Sequence, residues 1–179
     1  MLRVVKAGLA LPVLLGGLFL GAASALGASP SGGTIQVWVT PTGNGNGGGK
    51  VLITGVVGDY GKGQKVNSAG QPSKGGSYTK LLLKKGTILV NTTQFNTAQN
   101  NANPPINNSN CSVTFTTTAP IPVVSGTGAY VGITGSINMT GQFGAVLPKT
   151  KSGSCNTSNN SNSLDQYISV VGSGTVSFG

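Results

Sequence analysis

The sequence predicts an all-β protein: one small antiparallel barrel of about eight strands, held by one disulfide. Three observations predict it. Beyond residue 28 no apolar run repeats with a helical period; short β-branched runs alternate instead with Gly, Asn and Pro. Eight or nine such runs follow one another at the spacing of a barrel or a sandwich. The chain has two cysteines, Cys111 and Cys155, behind an export signal, and two cysteines in an exported domain most simply pair.

The signal occupies residues 1–25. Arg3 and Lys6 form a basic start, residues 7–20 are uncharged and apolar, and Ala23-Ser24-Ala25 fits the small-x-small cleavage pattern. Residues 7–28 nearly reach the length of a bilayer span. Pro12 and the paired glycines favour cleavage near Ala25 over retention as an anchor. No cysteine follows the apolar run to carry a lipid, and no paired arginines precede it. The mature chain is therefore expected outside the cell, with no stable membrane span.

Residues 26–48 read as a flexible N-terminal segment with the first strand, and 49–179 as the barrel domain. In 34–40 alternation is strict: Ile35, Val37 and Val39 share one face, Gln36, Trp38 and Thr40 the other. The glycine-rich run 43–49 ends that strand, and 50–57 form the next. A long polar loop is expected after Gly58-Asp59-Tyr60-Gly61. Residues 78–83 and 86–93 are two more strands, with a turn or bulge at Lys84-Lys85-Gly86. Residues 96–110, rich in Asn, read as a loop. Residues 111–117 form a strand with Val113 and Phe115 on one face. Pro120 and Pro122 restrict the next piece to an edge or a bend, because proline has no N–H to donate to a ladder. Residues 130–140 and 142–147 read as a pair, 156–163 as a second Asn/Ser loop, and 164–171 and 174–178 as closing strands. No helix is expected in the mature chain.

Charge narrows the function classes. Past residue 28 there is no His, Arg or Glu, and the only carboxylates are Asp59 and Asp165. Most enzyme mechanisms need a general base, a metal shell or an activated nucleophile, and this inventory supplies few. Two cysteines without His cannot complete a tetrahedral metal shell; no cofactor is implied. Removing Arg3 and Lys6 from eleven basic residues leaves nine lysines, which against two aspartates give a mature charge of +7. Such a charge suits anionic surfaces, including a cell-surface polymer or phospholipid. No nucleic-acid motif is present, and no arginine is available to grip phosphate with two parallel bonds.

The segment 123–135, Val-Val-Ser-Gly-Thr-Gly-Ala-Tyr-Val-Gly-Ile-Thr-Gly, is the best motif. Gly126 and Gly128 allow a tight turn, and Gly132 and Gly135 allow close backbone approach. The pattern resembles the Gly-Thr-Gly-aromatic segment of the allene oxide cyclase and dirigent families, which are small antiparallel barrels. Together with Gly58-Asp-Tyr-Gly61 and the terminal 172–178, it also resembles a group of uncharacterised secreted bacterial proteins with that barrel. The resemblance implies the fold. Dirigent sites, on that resemblance, use paired acids with Arg and Tyr, and this mature chain lacks Arg and Glu.

Candidate ligand-binding residues are Asp59, Tyr60, Tyr130 and Trp38. A carboxylate, two phenols and an indole beside polar neighbours are the anchors a barrel lumen needs. Each also has a plain structural role open to it: Asp59 in a turn, the tyrosines at the rim, Trp38 half exposed. Two functional classes stand open. One is a non-catalytic extracellular barrel binding a small apolar or amphipathic molecule, or a structural or surface-binding protein of the cell envelope. The other is a cofactor-free isomerase or cyclase that works by shaping its substrate.

Overall fold

The computed structural model describes residues 31–41, 49–158 and 162–179. The expected export signal, most of the glycine-rich run at 43–49 and the middle of the second Asn/Ser loop lie outside the described residues. Eight strands close into one antiparallel barrel in sequence order: β1 Gly33–Pro41, β2 Gly49–Gly55, β3 Asp59–Val66, β4 Tyr78–Leu83, β5 Gly86–Asn91, β6 Ser112–Gly128, β7 Ile133–Val146 and β8 Asp165–Phe178. β1 pairs with both β2 and β8, so the first strand closes the ring.

Alternation places the core. Ile35 and Val37 on β1, Val51 and Ile53 on β2, Leu81 on β4, Ile88 and Val90 on β5, Ile121 on β6, Ile137 and Met139 on β7 and Val176 on β8 are buried in one cluster. Their outward neighbours are largely Thr, Ser, Gln and Lys. A one-residue slip of any strand would exchange the two sets, so the pattern fixes the register.

The structure corrects four expectations. Residues 59–66 form β3, not a polar loop. The inward positions of β3 are Asp59, Gly61, Gly63 and Lys65, paired with lumen residues of β2 and β4. With glycine where an aliphatic side chain is usual, the strand carries no apolar alternation to read. Second, the strand expected at 111–117 and the piece holding Pro120 and Pro122 are one strand, β6, and the prolines lie along a locally unpaired edge, as expected, without ending it. Both prolines have the same parity, so their missing N–H groups fall on one side of the strand. β5 pairs with β6 only from Val123 onward, so no ladder bond is lost there. Third, residues 133–146 and 165–178 are single long strands, not interrupted pairs.

Fourth, a helix is present where none was expected, α1 (Thr93–Asn100). Its start falls within residues expected to end a strand. Asn96 N–H donates to the Thr92 carbonyl, and Asn101 N–H to that of Thr97. An eight-residue helix with one buried side chain, Phe95, is too short to display a helical period. Tertiary packing holds it: a Cβ at Gly141 would lie 2.8 Å from the rings of both Phe95 and Phe143, so glycine there leaves the space the two rings fill.

Candidate functional site: a lumen open at one end

The two ends of the barrel differ. At one end the interior is plugged. Gly58, at φ 50°, turns the chain so that Asp59 opens β3 facing inward. Across the barrel, the β6–β7 connection drops Tyr130 into the same space, 2 % exposed. Gly126 permits this, since a Cβ there would collide with the Tyr130 carbonyl oxygen. The Tyr130 hydroxyl donates to Asp59 Oδ2 at 2.6 Å, Lys85 N–H to the same oxygen at 2.9 Å, and Tyr60 N–H to Oδ1 at 2.7 Å.

Burial pushes the Asp59 carboxyl toward protonation. The bonds from Tyr130 and from the backbone N–H groups of Lys85, Tyr60 and Lys84 outweigh it and hold the group below the usual carboxylate value. Burial pushes the Tyr130 phenol well above its usual range, and the hydrogen bond to Asp59 and its charge push the same way. The pair is a satisfied plug, an ionised carboxylate bonded by a neutral phenol.

At the other end lies a cavity of about 440 Å³. Its walls are Val37, Val39, Val51, Leu81, Val90, Ile121, Ile137, Met139 and Val170, with glycine at 49 and 63. Phe95 of α1, with Asn96 and Gln99, covers part of the mouth, and Phe143, Ile168 and Gln166 extend it. Glycine on the β3 wall leaves volume that side chains would otherwise fill. Lys65 is the only charged side chain among the lining residues; Thr79, Thr92, Asn96, Gln99 and Gln166 are the polar ones. Neither Asp59 nor Asp165 lines the cavity.

The four candidate anchors are thus not gathered in the lumen cavity. Asp59 and Tyr130 meet, but as the plug at the far end. Trp38 and Tyr60 are on the outer face, 38 % and 58 % exposed, because they have the parity opposite to Val37 and Asp59. Sequence reasoning did not single out Lys65 or Phe95. Lys65 shares parity with Asp59, Gly61 and Gly63, a weak signal once 59–66 is known to be a strand. Phe95 carried no signal, since its helix has no readable period.

Cys111 and Cys155 are bonded, with Cα atoms 5.3 Å apart. Cys111 immediately precedes β6 in a left-handed conformation, φ 57°. Leu147 N–H donates to its carbonyl, so the bond ties the segment after β7 to the base of β6.

No protein-family model matches the chain, and neither a curated protein nor a solved structure does. Its geometry defines its class: a closed eight-stranded barrel, plugged at one end and hollow at the other.

Proposed function

We propose that the mature chain is an exported, non-catalytic barrel that holds one amphipathic small molecule, its apolar body in the lumen and an anionic head beside Lys65. The observation that carries this reading is the apolar cavity of about 440 Å³ with one cation at its polar rim. The size lies within the roughly 300–1,000 Å³ range of small-molecule sites. Eight-stranded barrels either fill their interior or hold one small ligand. Kinship with the allene oxide cyclase and dirigent barrels belongs to the same proposal. An isomerase reading needs an acid or base facing the substrate, and the one carboxylate inside the barrel is engaged at the opposite end. That favours binding over catalysis.

The test is calorimetric titration with fatty acids, terpenoids and phenolics, each acid paired with its neutral methyl ester or alcohol. We expect saturable one-to-one binding. Leu81→Trp, which fills the middle of the lumen, abolishes it. Lys65→Gln weakens the acids about tenfold, as expected for losing one charge-assisted contact at a partly exposed site, and leaves the neutral analogues unchanged. Absence of binding by every member, or binding that survives Leu81→Trp in a folded variant, rejects the lumen as the site.

A further inference from the structure

The outer wall of the barrel carries a row of side chains that the lumen reading does not use. Register places Val171, Trp38, Leu52 and Tyr60 side by side on the adjacent strands β8, β1, β2 and β3. All four point outward, and Val171 and Leu52 are 42 % and 47 % exposed. With strands about 4.8 Å apart, the row is about 14 Å long. Lys84 continues it, its Nζ 5.6 Å from the centre of the Tyr60 ring. The parallel row two residues nearer the mouth holds Lys50 opposite Lys62, then Leu82, all exposed. The only acid on β1, β2 or β3 is Asp59, which is buried inside. Asp165 stands at the far end of β8.

We propose that this face docks on an anionic phospholipid surface, with Trp38, Leu52, Tyr60 and Val171 entering the headgroup layer and Lys50, Lys62 and Lys84 reaching the phosphates. Charge complementarity supplies the first argument: three lysines flank an apolar row with no carboxylate beside them, and each basic group near an anionic leaflet strengthens binding. The apolar partners supply the second. Trp and Tyr settle at a membrane interface, with an apolar body and a polar tip. Trp38 and Tyr60 could stack on a sugar, but Val171, Leu52 and Leu82 are aliphatic and gain only by leaving water, so a bilayer uses the whole row where a polysaccharide would use its two rings alone. Lysine ammonium groups on flexible stems follow mobile headgroups, where a planar guanidinium fork would demand fixed geometry. The proposal is independent of whether the lumen holds a ligand.

Trp38 is the only tryptophan of the chain, so the site carries its own reporter. The mature protein is titrated with vesicles of equimolar phosphatidylglycerol and phosphatidylcholine, and with phosphatidylcholine alone. Trp38 emission is expected to shift to the blue and become protected from acrylamide only with the anionic vesicles, and to revert in high salt. The double variant Lys50→Gln/Lys62→Gln lowers the partition coefficient about thirtyfold. Trp38→Thr, followed by vesicle sedimentation, lowers it about tenfold, and Tyr60→Ser lowers it in the same direction. Both positions are exposed, and a thermal melt confirms that each variant folds. Absence of sedimentation overturns the proposal. So does sedimentation without a Trp38 shift, or with affinity unchanged in Trp38→Thr and Tyr60→Ser, since another face would then be responsible. An equal Trp38 shift with soluble polyphosphate at matched phosphate concentration assigns the face to an anionic polymer and overturns the lipid.

Discussion

Replacing Cys111 or Cys155 by serine is expected to lower stability by about 4 kcal/mol and the melting temperature by roughly 8–16 °C. The bond joins residues 44 apart, and in the chain-entropy account a loop of that length removes substantial freedom from the unfolded state. The loop encloses the whole of β7 and of β6, which pair from Ser112 opposite Val146 to Val123 opposite Gly135. The flanking segments 101–110 and 147–158 are rich in Asn and Ser and nearly devoid of buried apolar side chains, so burial cannot order them. The covalent tie joins them, beside local turns such as Asn107, whose Oδ1 accepts from Ser109 N–H, and the bond that Lys149 Nζ donates to the Ser109 carbonyl. Loss of the bond should therefore raise amide exchange in these two segments well before the β1–β5 strands are affected. Differential scanning calorimetry and hydrogen exchange of the reduced protein and the serine variants check both. A melting temperature unchanged after complete reduction, verified by thiol labelling, contradicts the expectation.

Asp59→Ala is expected to cost about 3 kcal/mol, and Tyr130→Phe about 2 kcal/mol. Removing the carboxylate strands the Tyr130 hydroxyl and the Lys85 N–H in a buried space, whereas removing the hydroxyl leaves Asp59 with its backbone donors. The two changes share one hydrogen bond, so the double variant should cost less than the sum. The pair also shapes the pH profile of stability. Asp59 has its folded pKa depressed. Its contribution is complete above the unfolded value of about 4 and is lost as pH falls below that value, through the lower folded one. Tyr130 has its folded pKa raised. Its contribution is complete below about 10 and is lost as pH rises above that. Urea titrations from pH 2 to 11 should show a plateau between these limits. Asp59→Asn should flatten the acid limb and Tyr130→Phe the alkaline one. An acid limb that persists unchanged in Asp59→Asn would show that another group governs it.

The plug also explains why the sequence misleads about the site. Asp59 and Tyr130 stood out as the ionisable and aromatic members of glycine-flanked motifs, and the glycines do mark where they act. Gly58 turns Asp59 inward and Gly126 makes room for Tyr130. Yet which end of a barrel a residue reaches depends on strand register and on the direction of each connection, and neither is written in local spacing. Trp38 shows the same limit in simpler form. Alternation assigns it to the face opposite Val37, but only closure of the ring decides which face is the lumen. The hollow end was harder still. Its defining features are a side chain that is missing, at Gly63, and a lysine on a strand without apolar alternation.

By itself the sequence determined the class of this protein and its covalent frame. Period-two alternation and turn residues leave an all-β barrel or sandwich as the way to bury Ile35, Val37, Val51, Ile53 and their kin, ring closure makes it the barrel, and Cys111 and Cys155 were left to pair. Those are properties of composition and local order. The tertiary structure alone decided the helix over the mouth, the passage of β6 through two prolines, the meeting of Asp59 with Tyr130 and the separation of plug from cavity. Each depends on which residues long-range pairing brings together: Phe95 against Gly141, β5 ending before Pro122, a turn after β6 facing the start of β3. Contacts between residues distant in the chain arise only when the ring closes, and their energies then override the local preferences from which a sequence is read.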